Sequence, residues 1–317
     1  MTNFYSFEDV EDVQELFQLA SRCKNDPTWA AKVGKGKLLV LLFFNPSLRT
    51  KLSTQKAALN LGMQVIPMDM KSSWNWEFED GVTMKFDTAE HVKEAANVIS
   101  RYADIIAIRS FPSLTDKDRD YQDQIIQSFM SYASKPVVNL ESATRHPLQS
   151  LADMFTIHEH VEKSNPKIVL TWAPHPKVLP QAVANSFLEW AHGCGHQVTV
   201  THPKGYELDA AFMSGHQIEY DRKKALESAD VVYVKNWSTV TPYGQVLSQD
   251  PRWMIDQADL QLTNAARLMH CLPVRRNVVI ADNAMDSSHS VLYDLSENRL
   301  HTAQAVLYKL LSTSTIV

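Results

Sequence analysis

The strongest constraint on the fold of this chain is the regular alternation of short apolar segments with segments of helical period. The apolar, mostly β-branched segments that have the length of strands are Leu38–Phe44, Gln64–Met68, Asp104–Arg109, Pro136–Leu140, Lys167–Trp172, Gln197–His202, Asp230–Val234 and Arg267–Cys271. Several are continuously apolar, which is typical of parallel strands that helices cover on both faces. The helix candidates are Leu52–Leu61, Ala89–Tyr102, Gln122–Ala133, Pro147–His160, Leu179–His192, Arg222–Ser228 and Leu300–Leu311. This alternation predicts an α/β fold.

The chain length and the position of one helix predict the domain organisation. A chain of 317 residues corresponds to about two domains at ~150 residues each. Four candidate strands precede the helix that starts at Pro147, and four follow it. We therefore predict two similar-sized domains, each a mostly parallel sheet flanked by helices, joined by interdomain helices. The predicted boundaries are 1–145 and 146–299, with 300–317 as a C-terminal helix that returns to the first domain.

Composition excludes several classes of protein. The formal charge of −5 disfavours nucleic acid as a partner. The longest apolar run, Leu38–Phe44, has seven residues, whereas a membrane span needs ~20. The N-terminal sequence has no basic start before an apolar core, so we expect no export signal.

Cysteine and glycine usage predict the compartment and the absence of cofactors. Three cysteines without a CxxC spacing favour a reducing compartment and argue against a structural zinc site. No GxGxxG spacing occurs among the nine glycines, so nothing indicates a nucleotide cofactor. We predict a cytoplasmic protein that uses no metal and no cofactor.

Polar residues follow the ends of two strands in the first half of the chain. Ser47-Leu48-Arg49-Thr50 comes after the strand Leu38–Phe44 and opens a helix. A helix N-terminus with hydroxyls and a forked guanidinium suits a phosphate. Arg109 ends another strand, and ligands of such folds lie beyond the carboxyl ends of the strands. Taken singly, these features are also typical of a helix cap and a surface arginine.

Two more polar groups follow later strands. His146 and Gln149 are three residues apart at the start of the helix that Pro147 opens, so both can face one spot. A histidine there can donate to a developing oxyanion. Cys271-Leu272-Pro273 follows the last strand and can present backbone carbonyls to an amine, and Arg275 can pair with a carboxylate. Polar groups thus follow four of the predicted strands, one after another along the chain. This pattern favours a single anion-binding site over four unrelated helix caps and turns.

These motifs resemble those of the aspartate/ornithine carbamoyltransferase family. Ser47-Leu48-Arg49-Thr50 resembles the family's Ser-Thr-Arg-Thr signature, with Leu48 as the departure. Arg109 and the His-Pro-x-Gln-x-x-Ala-Asp pattern that begins at His146 match two further signatures. His270-Cys271-Leu272-Pro273 is similar to the ornithine branch.

Other positions are similar to the N-acylornithine enzymes of that family. Lys235 stands where the ornithine branch has an acid for the free α-ammonium, and a cation suits an α-carboxylate or an acyl oxygen instead. Trp74 and the Ser-Leu-Arg-Thr motif are similar to the same branch. The resemblance implies a homotrimer whose active sites lie between domains and are shared with a neighbouring subunit. The implied reaction transfers the carbamoyl group of carbamoyl phosphate to an N-acylornithine, giving N-acylcitrulline in arginine biosynthesis.

The resemblance also implies roles for individual residues. Those implied to hold carbamoyl phosphate are Ser47, Leu48, Arg49, Thr50, Trp74 from the next subunit (or the nearby Trp76), Arg109, His146, Gln149 and Arg299. Those implied to face the acylornithine are Glu90, Glu141, His175, Lys235, Cys271, Leu272 and Arg275. The catalytic set is Arg49, Thr50, Arg109 and His146, acting on a neutral δ-amine while the departing phosphate accepts its proton.

Glu90 bears on the choice of acyl group. It lies at the start of the predicted helix Ala89–Tyr102, where an acid also favours the helix itself. Directed into the pocket, its charge would repel a succinyl carboxylate by on the order of one to a few kcal/mol. N-acetylornithine is therefore the favoured acceptor. The alternatives are N-succinylornithine, then free ornithine, and last a non-catalytic relative that keeps the fold.

Overall fold

The structure, a computed structural model, describes residues 1–313. Its strands are β1 (Leu38–Phe43), β2 (Gln64–Asp69), β3 (Asn75–Glu77), β4 (Thr88–His91), β5 (Ile105–Arg109), β6 (Val137–Glu141), β7 (Ile168–Trp172), β8 (Val198–Thr201), β9 (Gln217–Ile218), β10 (Val231–Lys235) and β11 (Arg267–Met269). Its α-helices are α1 (Val13–Asn25), α2 (Leu48–Asn60), α3 (Val92–Tyr102), α4 (Lys117–Asp120), α5 (Gln124–Tyr132), α6 (Pro147–His160), α7 (Ala182–Gly193), α8 (Arg222–Leu226), α9 (Gln257–Gln261), α10 (Asp282–Met285) and α11 (Leu292–Thr313). Short 3₁₀ helices occupy Phe7–Asp9, Met70–Ser72, Ala210–Phe212 and Pro251–Trp253.

The chain divides into two compact units. Unit 1 contains residues 1–113, 118–148 and those from Arg299 onward, and unit 2 contains 114–117 and 149–298. The chain passes from one unit to the other within α6 and again within α11. Among the described residues no helix has both the length and the apolar character needed to cross a membrane.

Unit 1 is built on a parallel sheet with strand order β2-β1-β5-β6. Its central strands β1 and β5 are buried almost throughout, as expected of parallel strands with helices on both faces. Phe43 is in register with Arg109, and Arg109 with Glu141. The carboxyl ends of three adjacent strands therefore lie side by side.

Unit 2 repeats this arrangement with five parallel strands in the order β11-β10-β7-β8-β9. Its apolar core joins the sheet to α8, α9 and α10 through residues such as Val232, Leu226, Leu260 and Ala284. The carboxyl ends of β11, β10 and β7 are neighbours because these strands pair with one another. The α/β prediction with two parallel sheets is confirmed, and each of the eight predicted strands is present.

Some of the sequence predictions about local structure were wrong or incomplete. The helix predicted from Ala89 begins at Val92, because Thr88–His91 forms strand β4 and pairs with β3. The last helix begins at Leu292, eight residues earlier than expected from its apolar period. Its buried face includes polar side chains such as Asn298 and Thr302, which mask that period. Helix α1 was not predicted.

Candidate active site

The loop after β1 forms the first part of the candidate site. Ser47 is the N-cap of α2, and its hydroxyl makes no capping hydrogen bond. Thr50 is buried in the first turn, where Arg299 Nη2 donates to its Oγ1 at 2.6 Å. A cation and a helix N-terminus thus meet in unit 1, which is a suitable combination for an anion.

The ends of β5 and β6 form the second part. Arg109 Nη1 and Glu141 Oε2 form a buried ion pair, and His146 Nε2 lies 3.5 Å from the same carboxylate oxygen. The Ser110 amide donates to the Glu141 carbonyl at 2.8 Å, which ties the two strand ends together. Glu141, which the sequence assigned to the acylornithine, therefore lies in unit 1 against Arg109 and His146. Its predicted contact with the acceptor stays a prediction.

Arg109 Nε, a donor in unit 1, is buried and has no hydrogen-bond partner among the described residues, and the same is true of Gln149 Oε1, an acceptor at the start of unit 2. The other end of the Gln149 amide donates from Nε2 to Asp153 Oδ1 at 2.8 Å, which fixes its orientation. A buried polar atom without a partner costs about 1–3 kcal/mol. Such atoms need a specific explanation, and a bound polar ligand provides one.

Unit 2 holds five of the seven predicted acceptor residues, most of them close to the carboxyl ends of β11, β10 and β7, whereas Glu90 and Glu141 lie in unit 1. Cys271 and Leu272 follow β11, Lys235 ends β10, and His175 follows β7. Burial lowers the pKa of His175 below its usual value, and the positive charges of Lys235 and Arg275 lower it further, against the opposing effect of the Lys177 backbone. Lys235 and Arg275 therefore both act electrostatically on His175 and favour its neutral form.

Leu272 adopts an unusual backbone conformation. Its φ of 53° lies in the left-handed region, which costs a residue with a Cβ roughly 1–2 kcal/mol. Its amide donates to His270 Nδ1 at 2.8 Å, so the histidine helps to hold the turn. Such conformations persist where the surroundings enforce them, and they cluster at ligand sites.

The β3–β4 segment of unit 1 holds the two tryptophans between which the sequence did not decide. Trp74 Nε1 donates to Glu90 Oε1 at 2.7 Å, and Trp76 Nε1 donates to the same oxygen at 3.0 Å. Trp76 is buried against Phe44 and Phe129, whereas Trp74 is 60% exposed. Trp74 is therefore the indole available to a second molecule. Glu90 lies in a strand and not in the first turn of a helix.

A pocket of about 320 Å³ lies beside these tryptophans. Trp74, Trp76, Lys85 and Arg119 contribute to its wall. Glu77, which also lines it, is buried and accepts the backbone amide of Phe78 at 2.9 Å. That bond, the main one acting on Glu77, lowers the pKa of its carboxyl group. The carboxylate thus stabilises the loop around the pocket.

Comparison with known proteins identifies the family. Residues 2–159 match the carbamoyl-phosphate-binding domain of the aspartate/ornithine carbamoyltransferases. Residues 178–310 match the aspartate/ornithine-binding domain of the same family. The chain belongs to the aspartate/ornithine carbamoyltransferase family. It is accordingly an enzyme, as the motifs predicted.

Individual relatives cover almost the whole chain. N-succinylornithine carbamoyltransferase of Bacteroides thetaiotaomicron is 45% identical over 314 residues, which are 98% of this chain and 99% of the relative. N-acetylornithine carbamoyltransferase of Xanthomonas campestris is 39% identical over 302 residues, which are 88% of this chain and 89% of the relative. The resemblance to the N-acylornithine branch is therefore confirmed.

Solved structures agree with these relatives. The crystal structure of N-acetyl-L-ornithine transcarbamylase superimposes with a TM-score of 0.92 at 35% identity, covering 98% of this chain and 100% of that one. A mutant of that enzyme complexed with carbamyl phosphate and N-succinyl-L-norvaline gives a TM-score of 0.93 at 36% identity, with the same coverage.

Sequence reasoning about this carbamoyltransferase missed the shared hydrogen bonds around Glu90. One signal was present, because Trp74 and Trp76 are two residues apart, a spacing at which the side chains of an extended segment point to the same side. The role of His270 in holding Leu272 was also missed. Its position in the His-Cys-Leu-Pro motif carried no information about which atom it contacts.

Proposed function

We propose that this carbamoyltransferase transfers the carbamoyl group of carbamoyl phosphate to the δ-amine of an N-acylornithine, with N-acetylornithine as the favoured acceptor. The products are N-acylcitrulline and phosphate. The observation that carries the proposal is the grouping in unit 1 of the Ser47–Thr50 helix start with Arg299, beside Arg109 at the end of β5 and with His146 against Glu141 at the end of β6.

Unit 1 has the chemistry that a phosphate dianion needs. The N-terminus of α2 provides N–H groups and a partial positive charge. Arg49 lies in its first turn, and Arg299 reaches the same turn through Thr50. Ser47 adds a hydroxyl that does not cap the helix. We infer that these groups hold the phosphate of carbamoyl phosphate.

The carbamoyl group requires donors for its oxygen and an acceptor for its NH₂. Arg109, Thr50 and His146 stabilise the negative charge that grows on the carbonyl oxygen during attack. One such donor contributes roughly 3–4 kcal/mol in comparable oxyanion sites. Gln149 Oε1, buried and without a partner among the described residues, accepts a hydrogen bond from the NH₂. The δ-amine attacks the carbamoyl carbon, the C–O bond to phosphate breaks, and the departing phosphate takes the amine proton.

The charges in unit 2 favour an acylated acceptor. Lys235 and Arg275 are cations beside a neutral His175, and they attract the α-carboxylate while repelling a free α-ammonium. N-acylation removes that ammonium charge. The N-succinylornithine and N-acetylornithine carbamoyltransferases that this chain resembles support the same conclusion.

Glu90 favours acetyl over succinyl as the acyl group. Its Oε1 accepts the indole N–H groups of the exposed Trp74 and the buried Trp76, so a negative charge is fixed in the segment that the resemblance places near the acyl end. A succinyl carboxylate is repelled there, whereas an acetyl group is not. N-succinylornithine is the second candidate, because the relative that is 45% identical acts on it according to its name.

We further propose that the enzyme works as a homotrimer in the cytoplasm, with Trp74 reaching the active site of a neighbouring copy. Unit 1 exposes apolar side chains on one face of α2 and on the edge strand β2, namely Leu48, Leu52, Leu59, Ile66 and Met68. An exposed apolar surface of this kind marks an interaction site. The three cysteines are unpaired, which agrees with a reducing compartment.

The test is a citrulline-forming assay with carbamoyl phosphate and three separate acceptors: N-acetylornithine, N-succinylornithine and ornithine. We expect the highest kcat/KM with N-acetylornithine and the lowest with ornithine. An Arg49→Ala variant should lose carbamoyl-phosphate binding, measured by calorimetry. Ornithine as the preferred acceptor would overturn the assignment to the N-acylornithine branch, and unchanged phosphate affinity of Arg49→Ala would overturn the role of the first motif.

A further inference from the structure

Asp123 occupies the N-cap position of α5 but does not cap that helix. Its φ of 48° lies in the left-handed region, and its side chain is buried. The carboxylate instead accepts hydrogen bonds from the loop between β6 and α6. An aspartate at an N-cap normally accepts from its own helix, so this one serves another segment.

The carboxylate of Asp123 receives five donors. Oδ1 accepts the backbone amides of Ala143 at 2.8 Å and Thr144 at 3.3 Å. Oδ2 accepts the hydroxyl of Tyr5 at 2.8 Å, that of Ser142 at 2.8 Å, and that of Thr144. Hydrogen bonds to an ionised acceptor are about twice as strong as neutral ones, so this residue dominates the conformation of the loop.

The loop that Asp123 holds connects two residues of the candidate site. Glu141 precedes Ser142, and His146 follows Arg145. Within the loop the Ser142 amide donates to the Arg145 carbonyl at 2.8 Å, closing a tight turn. The positions of Glu141 and His146 relative to each other, with His146 Nε2 3.5 Å from Glu141 Oε2, therefore depend on this turn.

The charge of Asp123 is balanced through neighbouring hydroxyls. Arg145 Nη1 donates to the Tyr5 hydroxyl at 3.1 Å and lies 3.4 Å from Thr144 Oγ1. Burial, together with the negative charge of Asp123, raises the pKa of Tyr5. Tyr5 therefore remains protonated and continues to donate to Asp123 throughout the working pH range.

We propose that Asp123 is a positioning residue for carbamoyl transfer: it fixes the Ser142–Arg145 turn and thereby orients His146 toward the carbamoyl oxygen. This inference rests on the proposed role of His146. Because the oxyanion develops only in the transition state, a displaced His146 lowers kcat more than it weakens binding of carbamoyl phosphate. The phosphate is held by other residues, those of α2 and Arg299.

The experiment compares Asp123→Asn with Asp123→Ala. Asparagine tolerates the left-handed conformation, and its amide oxygen can still accept from Ala143 and Thr144, so this variant removes the charge and keeps the backbone. We expect kcat to fall by about 10- to 100-fold in Asp123→Ala, and by less in Asp123→Asn. The KM for carbamoyl phosphate should change by less than about threefold in both, since only an interaction specific to the transition state is lost.

Two further variants separate positioning from general stability. Asp230→Asn alters another buried, hydrogen-bonded carboxylate, in unit 2, which accepts from Lys163, Lys167 and Asn264, and it should leave kcat unchanged. His146→Asn should lose activity. If His146→Asn keeps full activity, the proposed catalytic set fails. If it loses activity while Asp123→Asn and Asp123→Ala keep the wild-type kcat, the positioning role of Asp123 is wrong.

If Asp123→Ala fails to fold, variants that each remove one hydrogen-bond donor to Asp123 still test the proposal. Ser142→Ala and Tyr5→Phe each remove one hydroxyl donor from Asp123 and leave the carboxylate and both backbone contacts in place. Each should lower kcat by a few-fold with the KM for carbamoyl phosphate preserved. An unchanged kcat in both variants overturns the proposal, as does an equal loss of kcat in Asp230→Asn.

Discussion

Arg299 Nη2 donates a 2.6 Å hydrogen bond to Thr50 Oγ1, and the two residues are 249 positions apart in the chain. Both are buried in unit 1. The bond joins the C-terminal helix α11 to the first turn of α2. It places a guanidinium beside the helix N-terminus that is the proposed phosphate site.

Thr50→Val should therefore lower kcat by about 10²- to 10³-fold, because it removes a donor to the developing oxyanion without changing the side-chain size. Thr50→Ser keeps the hydroxyl and serves as the control, with kcat close to wild type. Steady-state kinetics with N-acetylornithine measures both. Equal rates for the two variants would show that the hydroxyl takes no part in catalysis.

Glu90→Gln should raise turnover of N-succinylornithine by roughly 10- to 100-fold, which is what removing a repulsion of one to a few kcal/mol would give. The amide oxygen can still accept from Trp74 and Trp76, so turnover of N-acetylornithine should be retained. Glu90→Ala removes both the charge and the indole contacts, and it should lower turnover of both acceptors relative to Glu90→Gln. No gain with N-succinylornithine in Glu90→Gln would remove this residue from acyl selection.

Glu141→Gln should lower the free energy of unfolding by about 3–5 kcal/mol, because it leaves the buried Arg109 without its carboxylate. It should also lower kcat, since Arg109 and His146 both contact this carboxylate. Urea unfolding measures the first effect. Glu79→Gln, at a carboxylate that is 57% exposed, is the control and should change little. A rise only in the KM for the acceptor would instead favour the contact that the sequence predicted.

Stability should fall as the pH drops below about 6.5. Burial lowers the pKa of His216 in the folded state, and so it does for His196 and His202. Below the unfolded-state pKa of about 6.5 the unfolded chain takes up these protons and the folded chain does not. Protonation of His216 at Nδ1 would also break the bond it accepts from the Val198 amide at 3.1 Å.

Each such histidine can contribute up to about 1.4 kcal/mol per pH unit to this loss. Urea unfolding between pH 8 and pH 5 measures the slope of the free energy of unfolding against pH. This slope should be smaller in His216→Gln than in the wild type. A slope that is independent of this substitution would mean that other groups control stability in acid.

Leu59→Glu combined with Ile66→Glu should reduce the molecular mass in solution from about three times the 35.9 kDa chain to that of one chain. The reason is that two charges are placed on the exposed apolar surface of α2 and β2. Activity should be lost as well if Trp74 acts in a neighbouring copy. Light scattering coupled to size exclusion measures the mass. Leu247→Glu, at a residue of unit 2 that is 51% exposed, should leave the mass unchanged.

The sequence alone was sufficient to predict the fold class and to locate most of the carboxyl ends of the strands. Strands such as β1 and β5 are continuously apolar, so their period and length identify them without any tertiary information. Because parallel strands bring their carboxyl ends to one edge, the order of the motifs predicted that Thr50, Arg109 and His146 would lie at the same edge of a sheet.

Only the tertiary structure decided which atoms meet. The contacts of Arg299 with Thr50, of Glu90 with two indoles, and of Asp123 with the turn before His146 join segments that are distant in the chain. Local periodicity reports which face of an element is buried, and it does not report which polar partner satisfies a buried group. Hydrogen bonds of this kind depend on the packing of the whole unit. The sequence therefore predicts which residue types collect at the site, whereas the contacts between their atoms are known only from the folded structure.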